Sequence, residues 1–313
     1  MSGVPGARRV DHVALTVPNL DDAVAFATDV LGGELVYRLP PLTHEDDWMS
    51  RHLDVHARSC AEIALVRLGP TTNLELFEYT APDHDPVPPR PHDVGHTRLG
   101  LFVDDVRAAV RELGLRSALL PTPWGMPIEL RDHGEVPGRF GPCPVWSNRD
   151  DGTPAAAMIP GLRNVDHISY TVADLDGTAA FFADVLGAEL LRRNTVDRVT
   201  LRMGPTDNIE LNRASGGRRE PPRNSDVGGR HLALHVDDVD AAAAYLAAVP
   251  GCVVLGEPET IADGPIAGDR WVYVRTRIGL HIELVHMPDG ALPYERHTTA
   301  RRRATGDLAW TDR

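Results

Sequence analysis

The chain has 313 residues, of which 42% are hydrophobic and 25% charged, and its formal net charge is −13. This composition is typical of a globular protein of roughly two domains, not of a disordered or fibrous one. The acidic balance argues against nucleic-acid binding, which requires a basic surface to displace counterions from phosphates. We therefore expect a small-molecule partner and no nucleic acid.

No apolar run approaches the ~18 residues that span a bilayer, and the N-terminal segment lacks the apolar core of a signal peptide. The sequence therefore predicts no membrane partner and a cytoplasmic location. The 32 basic residues are all arginine, which excludes a lysine Schiff base. The three cysteines are far apart and form no CxxC pair, so neither a disulfide framework nor a thiolate zinc site is indicated.

The chain contains an internal repeat. Residues 10–13 read V-D-H-V and residues 165–168 read V-D-H-I. Each copy continues as an apolar strand and then as a helix whose apolar residues follow the spacing of one buried face. Each helix is expected to end at a glycine, Gly32 or Gly187. Later strands also match, because residues 73–76 read N-L-E-L and residues 208–211 read N-I-E-L.

A second level of repetition gives four modules. His96 and His231 open two further strand-then-helix units, and each half of the chain ends on the letters I-E-L. The first module carries about 20 extra residues, which we place at residues 40–59. The second module is shorter than the fourth, since 33 residues separate His96 from Glu129 and 52 separate His231 from Glu283.

These units predict the following domains. Residues 1–133 form a first domain of two modules, the second of them shortened, and residues 134–161 form a linker rich in glycine and proline. Residues 162–290 form a second domain of two modules, and residues 291–313 form a polar tail.

Histidine and glutamate recur at matching places in the two halves. The positions are His12, Glu75, His96 and Glu129 in the first half, and His167, Glu210, His231 and Glu283 in the second. A single histidine or glutamate on a strand is usually an ordinary polar residue, but the recurrence of all eight favours metal ligands. Two imidazoles and two carboxylates suit Zn, Ni, Co, Mn or Fe(II), with positions left open for two neighbouring substrate oxygens.

Strand alternation separates the neighbouring candidates. Over residues 73–79 it places Glu75 on one face and Glu78 on the other, so we expect Glu78 to be solvated. The histidines of residues 40–59 either line a pocket over the first site or belong to a polar loop. His235 shares a strand face with His231 and either supports it or is an ordinary polar residue.

The V-D-H strand, the helix ending in L-G, and the N-[LI]-E-L and I-E-L strands resemble the vicinal oxygen chelate superfamily. That superfamily includes glyoxalase I, methylmalonyl-CoA and cyclitol-ketone epimerases, extradiol dioxygenases and antibiotic-resistance proteins. The resemblance covers nearly the whole chain. It implies an α+β fold in which four βαβββ modules form two tandem domains, each a curved, open-barrel mixed sheet around a metal ion.

The resemblance also implies the chemistry. The four-ligand set is similar to that of glyoxalase I, in which a metal polarises a carbonyl or hydroxyl while a carboxylate moves a proton on the adjacent carbon. Glu129 and Glu283 would be the ligands best placed to act as that base. The letters D-D-W at residues 46–48 resemble members that epimerise cyclitols.

We therefore expect a metal-dependent isomerase or epimerase, or a glyoxalase-type lyase. One alternative is an Fe(II) extradiol-type ring-cleaving dioxygenase that uses His167, His231 and Glu283; the other is a non-catalytic binding or resistance protein. The sequence leaves open the substrate, the metal, and whether one or both sites are active. It also leaves open whether modules pair within one chain or across a homodimer.

Overall fold

The computed structural model describes residues 3–132, 157–287 and 292–297. The strands are β1 (Ala7–Thr16), β2 (Glu34–Leu42), β3 (Cys60–Leu68), β4 (Thr72–Thr80), β5 (Thr97–Val103), β6 (Leu119–Leu120), β7 (Ile128–Arg131), β8 (Leu162–Val172), β9 (Glu189–Thr195), β10 (Arg198–Met203), β11 (Asp207–Arg213), β12 (Arg230–Val236), β13 (Val253–Thr260), β14 (Arg270–Arg275) and β15 (His281–His286). The α-helices are α1 (Leu20–Ala25), α2 (Trp48–Leu53), α3 (Val106–Glu112), α4 (Leu175–Ala180) and α5 (Val239–Ala247).

Three short helical segments complete the description. Phe26–Val30 and Phe181–Val185 continue α1 and α4 as π-helical turns, and Pro293–Arg296 is a 3-10 helix. None of the helices within the described residues is long and apolar enough to cross a membrane.

The strands form two curled mixed sheets, which confirms the α+β class and the expected modules. The outer sheet has the order β13-β14-β15-β12-β1-β4-β3-β2 and joins the first module to the fourth. The inner sheet has the order β6-β7-β5-β8-β11-β10-β9 and joins the second module to the third. The joints are the antiparallel pairs β1–β12 and β5–β8.

The sheets therefore do not follow the two halves of the chain, in which we expected adjacent modules to pair. All four modules open on a similar strand, so the repeat itself does not specify which two strands become neighbours. The division at residues 134–161 stays a prediction, because residues 133–156 lie outside the described ones. Of the tail expected from residue 291, the described part is packed: Tyr294 is buried against Tyr37, with ring centroids 5.5 Å apart.

Both length differences between modules are visible in the residues that the structure describes. The second module has three strands instead of four, and one of them, β6, has two residues. The extra residues of the first module form the end of β2 and helix α2, which packs against β13 and β14 of the fourth module. The insertion thus lies over the outer sheet.

Helix α1 shows how the amphipathic pattern is used. Leu20, Ala27 and Leu31 are buried, and Gly32 ends the helical segment with a φ of 66°. The Asn19 side chain accepts from the backbone N–H of the third residue after it, as an N-cap does. The carboxylate of Glu78 accepts from the backbone N–H of Leu20 at 2.7 Å, so Glu78 anchors the helix and is not the solvated residue that alternation predicted.

Each central histidine follows a β-bulge. The register shifts between Val10 and His12 when β1 pairs with β12, leaving Asp11 as the extra residue, and an equivalent shift in β8 leaves Asp166. A bulge re-aims side chains locally, and here the carboxylate of Asp11 lies 2.7 Å from His12 Nδ1.

An asparagine of the adjacent parallel strand holds each bulge. The Asn73 side-chain amide donates to the Asp11 backbone carbonyl, and the Asn208 amide donates to that of Asp166, both at 2.7 Å. The repeated asparagine of the N-[LI]-E-L strands therefore has a structural function, because it fixes the backbone next to the histidine.

We expect Asn73→Ala and Asn208→Ala each to lower the free energy of unfolding by about 1–3 kcal/mol, because a buried carbonyl loses its donor. Urea unfolding of each variant measures the loss. Val196→Ala, at a residue that is 77% exposed, is the control and should stay within about 0.5 kcal/mol of wild type. Asparagine variants as stable as this control would contradict the structural function.

Candidate functional site

Four ligand-type side chains meet where the first and fourth modules join, and we call them the outer site. They are His12 on β1, Glu75 on β4, His231 on β12 and Glu283 on β15, and all four are buried. Their ligand atoms all lie within 4.8 Å of one another.

The separations are short and nearly uniform. His12 Nε2 lies 3.1 Å from Glu75 Oε2 and 3.0 Å from Glu283 Oε2. The corresponding distances from His231 Nε2 are 3.3 and 3.2 Å, and the two Nε2 atoms are 3.2 Å apart. Two ligands bound at ~2.1 Å to one ion are about 3.0–3.4 Å apart when they are adjacent. The four atoms have the spacing of neighbouring ligands.

Hydrogen bonds alone do not account for this cluster. The Asp11 carboxylate accepts from His12 Nδ1, so Nε2, when it is not protonated, turns its lone pair toward the other three ligands. Glu283 Oε2 is buried and accepts no hydrogen bond of normal geometry within the described part of the chain. A shared divalent cation would satisfy these atoms together, and the four residues fit one.

The electrostatics of the site support the same conclusion. Burial lowers the pKa of His12, but the carboxylates of Glu75 and Glu283 and the hydrogen bond to Asp11 outweigh it and raise that pKa well above its usual value. Burial raises the pKa of Glu75 and of Glu283, and attraction to the histidines outweighs it, so that both values are lowered. The carboxylates are therefore ionised, and a metal ion competes with a proton on His12.

A cavity of about 570 Å³ lies over the outer site. Glu75 and Glu283 line it together with aromatic and aliphatic side chains of the outer sheet, and helix α2 and the loop between β13 and β14 form its walls. The size is typical of a small-molecule site.

The histidines of the insertion have separate positions. His44 lines the cavity and stacks on Trp48 with ring centroids 4.2 Å apart. His52 and the Trp48 indole both contact the Glu259 carboxylate, at 3.2 and 2.9 Å, which connects α2 to β13. His56 accepts from the backbone N–H two residues later, in a turn. Of the two alternatives left open, the pocket applies to His44.

The sequence assigned four predicted ligands to each half of the chain, but the structure groups them across the halves. The outer site takes two residues from each half, and Glu129, His167 and Glu210 form a second group in the inner sheet. His96 belongs to neither of these groups. It is buried before β5, and burial, followed by the positive charge of Arg98, lowers its pKa to about 4.

His96 is left out because the repeat was aligned two residues out of register at this strand. His12 pairs with Ala233 in the outer sheet, and His167 pairs with Gly100 in the inner sheet. Ala233 and Gly100 therefore correspond, and the residue that corresponds to His231 is Arg98, not His96. The D-D pairs at residues 104–105 and 237–238 have this offset, and they are the signal in the sequence that corrects the alignment.

Sequence reasoning missed several residues that support the outer site. Asp11 orients His12, and the hydroxyl of Tyr37 donates to Glu75 Oε1 at 3.3 Å. The hydroxyl of Tyr273 lies 3.2 Å from His231 Nε2. The aspartate was visible as the repeated letter before each histidine, whereas the tyrosines come from strands with no matching tyrosine in the other sheet.

Comparison with known families identifies the class of protein that has this fold and this site. The model of the Glyoxalase/Bleomycin resistance protein/Dioxygenase superfamily matches residues 9–117 and 164–284, and the chain belongs to this superfamily. Its relatives include an enzyme of similar length, the 2-epi-5-epi-valiolone epimerase of Actinomyces sp. The two are 34% identical over 299 residues, which cover 96% of this chain and 90% of the relative. The chain is an enzyme of the superfamily.

Solved structures share the fold. A putative dioxygenase from Bacillus subtilis has a TM-score of 0.60 at 15% identity, covering 96% of this chain and 91% of that one. Glyoxalase I from Zea mays has a TM-score of 0.54 at 18% identity, covering 89% of this chain and 92% of that one. At these identities the likeness concerns the fold alone.

We expect Zn²⁺ or Co²⁺ to bind the metal-free protein more tightly as the pH rises, by up to roughly tenfold per pH unit while one proton is displaced. The raised pKa of His12 sets the direction: below that pKa the ion competes with the proton, and above it the affinity levels off. Calorimetric titration in two buffers of different ionisation enthalpy counts the protons released. Binding without proton release between about pH 6 and 8 would contradict the expectation.

Proposed function

We propose that this chain is a divalent-metal-dependent epimerase that inverts a carbon next to the carbonyl of a small polyhydroxylated ring ketone. The observation that carries the proposal is the 34% identity to a valiolone epimerase over 96% of this chain, combined with the four-ligand outer site beneath a cavity.

The charge of the cavity supports a neutral substrate. Its described lining includes the acidic residues Glu259, Asp263 and Asp269 beside the two glutamate ligands, and it contains no arginine; the chain has no lysine. A thioester of coenzyme A or a glutathione adduct brings negative charge and would need cationic partners. A polyol instead donates hydroxyl hydrogens to carboxylates, as this lining allows.

The shape of the cavity supports a ring. Phe77, Trp48 and Trp271 line it and present apolar surfaces to the C–H groups of a ring, while His44 and Glu259 offer hydrogen-bonding groups near Trp48. A mixed aromatic and polar lining is what a compact molecule with an apolar face and hydroxyl groups requires.

Glu283 is the carboxylate that best fits the base. The metal ion, when bound, supplies positive charge that makes a hydrogen next to the substrate carbonyl acidic. Glu283 is ionised and lines the cavity. It accepts the proton while the electron pair of the C–H bond moves toward the carbonyl, and a proton from solvent water returns to the opposite face and inverts the carbon.

Glu75 fits a holding function better. One of its oxygens accepts from Tyr37, which in turn packs against Tyr294. These contacts restrain the carboxylate, so it is suited to binding the ion and not to moving a proton.

The alternatives from the sequence have less support in this site. An Fe(II) dioxygenase of the two-histidine, one-carboxylate type needs three protein ligands, whereas the outer site offers four. A glyoxalase-type lyase acting on an anionic thiol adduct lacks cationic partners in the described lining. A purely binding protein would not require the four ligands.

We expect Glu283→Gln to slow exchange of the substrate proton with D2O by about 10²–10⁴-fold, the usual contribution of a positioned base. Exchange is followed by NMR with a panel of inositol and valiolone-type ketones, and metal content is measured on the same samples. Glu62→Gln, at an exposed residue of β3, is the control and should exchange at the wild-type rate.

A companion variant, Glu129→Gln, tests the other base that the sequence nominated. Glu129 lies in the inner sheet and contacts Arg131 at 3.1 Å, so we expect a far smaller loss than for Glu283→Gln. Equal losses in both variants, or oxygen consumption with a catechol in place of proton exchange, would overturn the proposed function.

A further inference from the structure

The inner sheet contains the counterpart of the outer site. Glu129, His167 and Glu210 correspond by strand register to Glu283, His12 and Glu75, and their ligand atoms also lie within 4.8 Å of one another. We call these three residues the inner cluster. We propose that the inner cluster binds no metal ion because three arginines supply its positive charge, so that the full chain binds one ion and not two.

Arg98 removes one ligand. It occupies the register position of His231, as the pairing of β5 with β8 shows. Its guanidinium Nη1 lies 4.0 Å from Glu129 Oε2. A guanidinium stays protonated and has no lone pair for a metal, so this exchange deletes a ligand and adds a positive charge.

Arg131 occupies the space between the carboxylates. Its Nε donates to Glu129 Oε1 at 3.1 Å and its Nη2 to Glu210 Oε2 at 3.0 Å. The Glu210 side chain is only 1% exposed, so it needs such a partner. By strand register the outer sheet has Val285 at this position, which has no charge to offer its carboxylates.

Arg198 adds a third positive charge. Its Nε lies 3.7 Å from Glu210 Oε1, and by register it stands where the outer sheet has Ile63. Three guanidinium groups thus face the carboxylates of Glu129 and Glu210, and the Asp166 carboxylate lies 2.8 Å from His167 Nδ1. The arginines already supply the positive charge that a divalent cation would bring, so a cation would have to displace them.

His167 also takes a different position from His12. A Cβ built on Gly100 would lie 2.0 Å from His167 Cε1, so the ring rests where only glycine leaves room. The residue that corresponds to Gly100 in the outer sheet is Ala233. His167 Nε2 lies 4.0 Å from Glu210 Oε1, whereas His12 Nε2 lies 3.1 Å from Glu75 Oε2.

Metal counting tests the inference without reference to any reaction. The full chain is stripped with a chelator, reloaded with excess Co²⁺, freed of unbound ion by gel filtration, and analysed by mass spectrometry for cobalt per chain. We expect one ion in wild type, one in His167→Ala and close to none in His12→Ala. Two ions in wild type, or a loss in His167→Ala that matches the loss in His12→Ala, would overturn the inference.

A gain-of-binding variant tests the cause. Arg98→His combined with Arg131→Val and Arg198→Ile replaces the three arginines with the residues at the same register positions of the outer sheet. We expect this triple variant to bind a second ion and to show a Co²⁺-dependent rise in melting temperature. Circular dichroism establishes that the variant is folded. A folded triple variant that still binds one ion would show that the arginines are not what excludes the metal, and would overturn the inference. If the variant does not fold, the counts for wild type and the two alanine variants decide.

Discussion

Two carboxylates set side by side, with little contact with water, must be given positive charge, and both sheets of this protein are organised around that requirement. Removing an ionised carboxylate from water costs several kcal/mol unless a partner compensates it. In the outer sheet Glu75 and Glu283 face two imidazoles at 3.0–3.3 Å, a geometry that a divalent ion would complete. In the inner sheet Arg131 bridges Glu129 and Glu210 directly. The same backbone thus supports a group of two histidines and two glutamates that could hold a metal ion in one place and an ion-pair network in the other.

The surroundings of the two sheets also differ, because a cavity is enclosed over the outer site and the inner sheet lacks the elements that enclose it. Over the outer site, helix α2 and the β13–β14 hairpin enclose a cavity, and Glu259 connects the two through Trp48 and His52. The second module lacks a full counterpart of that hairpin, since β6 has only two residues, and the insertion packs on the other sheet. The cavity and the four-ligand site therefore occur together.

Much of this could be predicted from the sequence, because the modules repeat and their apolar patterns are regular. The class of fold, the insertion, the short second module and the ligand types at the outer site follow from the printed letters. The pairing of modules could not be predicted from the sequence, since the four similar opening strands offer equivalent edges. Arg98 was hidden by a nearby histidine that aligned more readily with His231. Asp11 was missed because strand alternation points neighbours to opposite faces, and only the bulge turns it toward His12.

The pairing of the first module with the fourth has a consequence for synthesis. The two histidines of the outer site are 219 residues apart in sequence, and Glu283 is later still. Domains of a growing chain fold in the order in which their parts emerge, and contacts between distant segments form slowly. The second and third modules can join while the fourth is still being made, whereas the first module waits with an unpaired β1 edge. Assembly of the four residues of the outer site is thus deferred to the end of translation, when the last strand arrives.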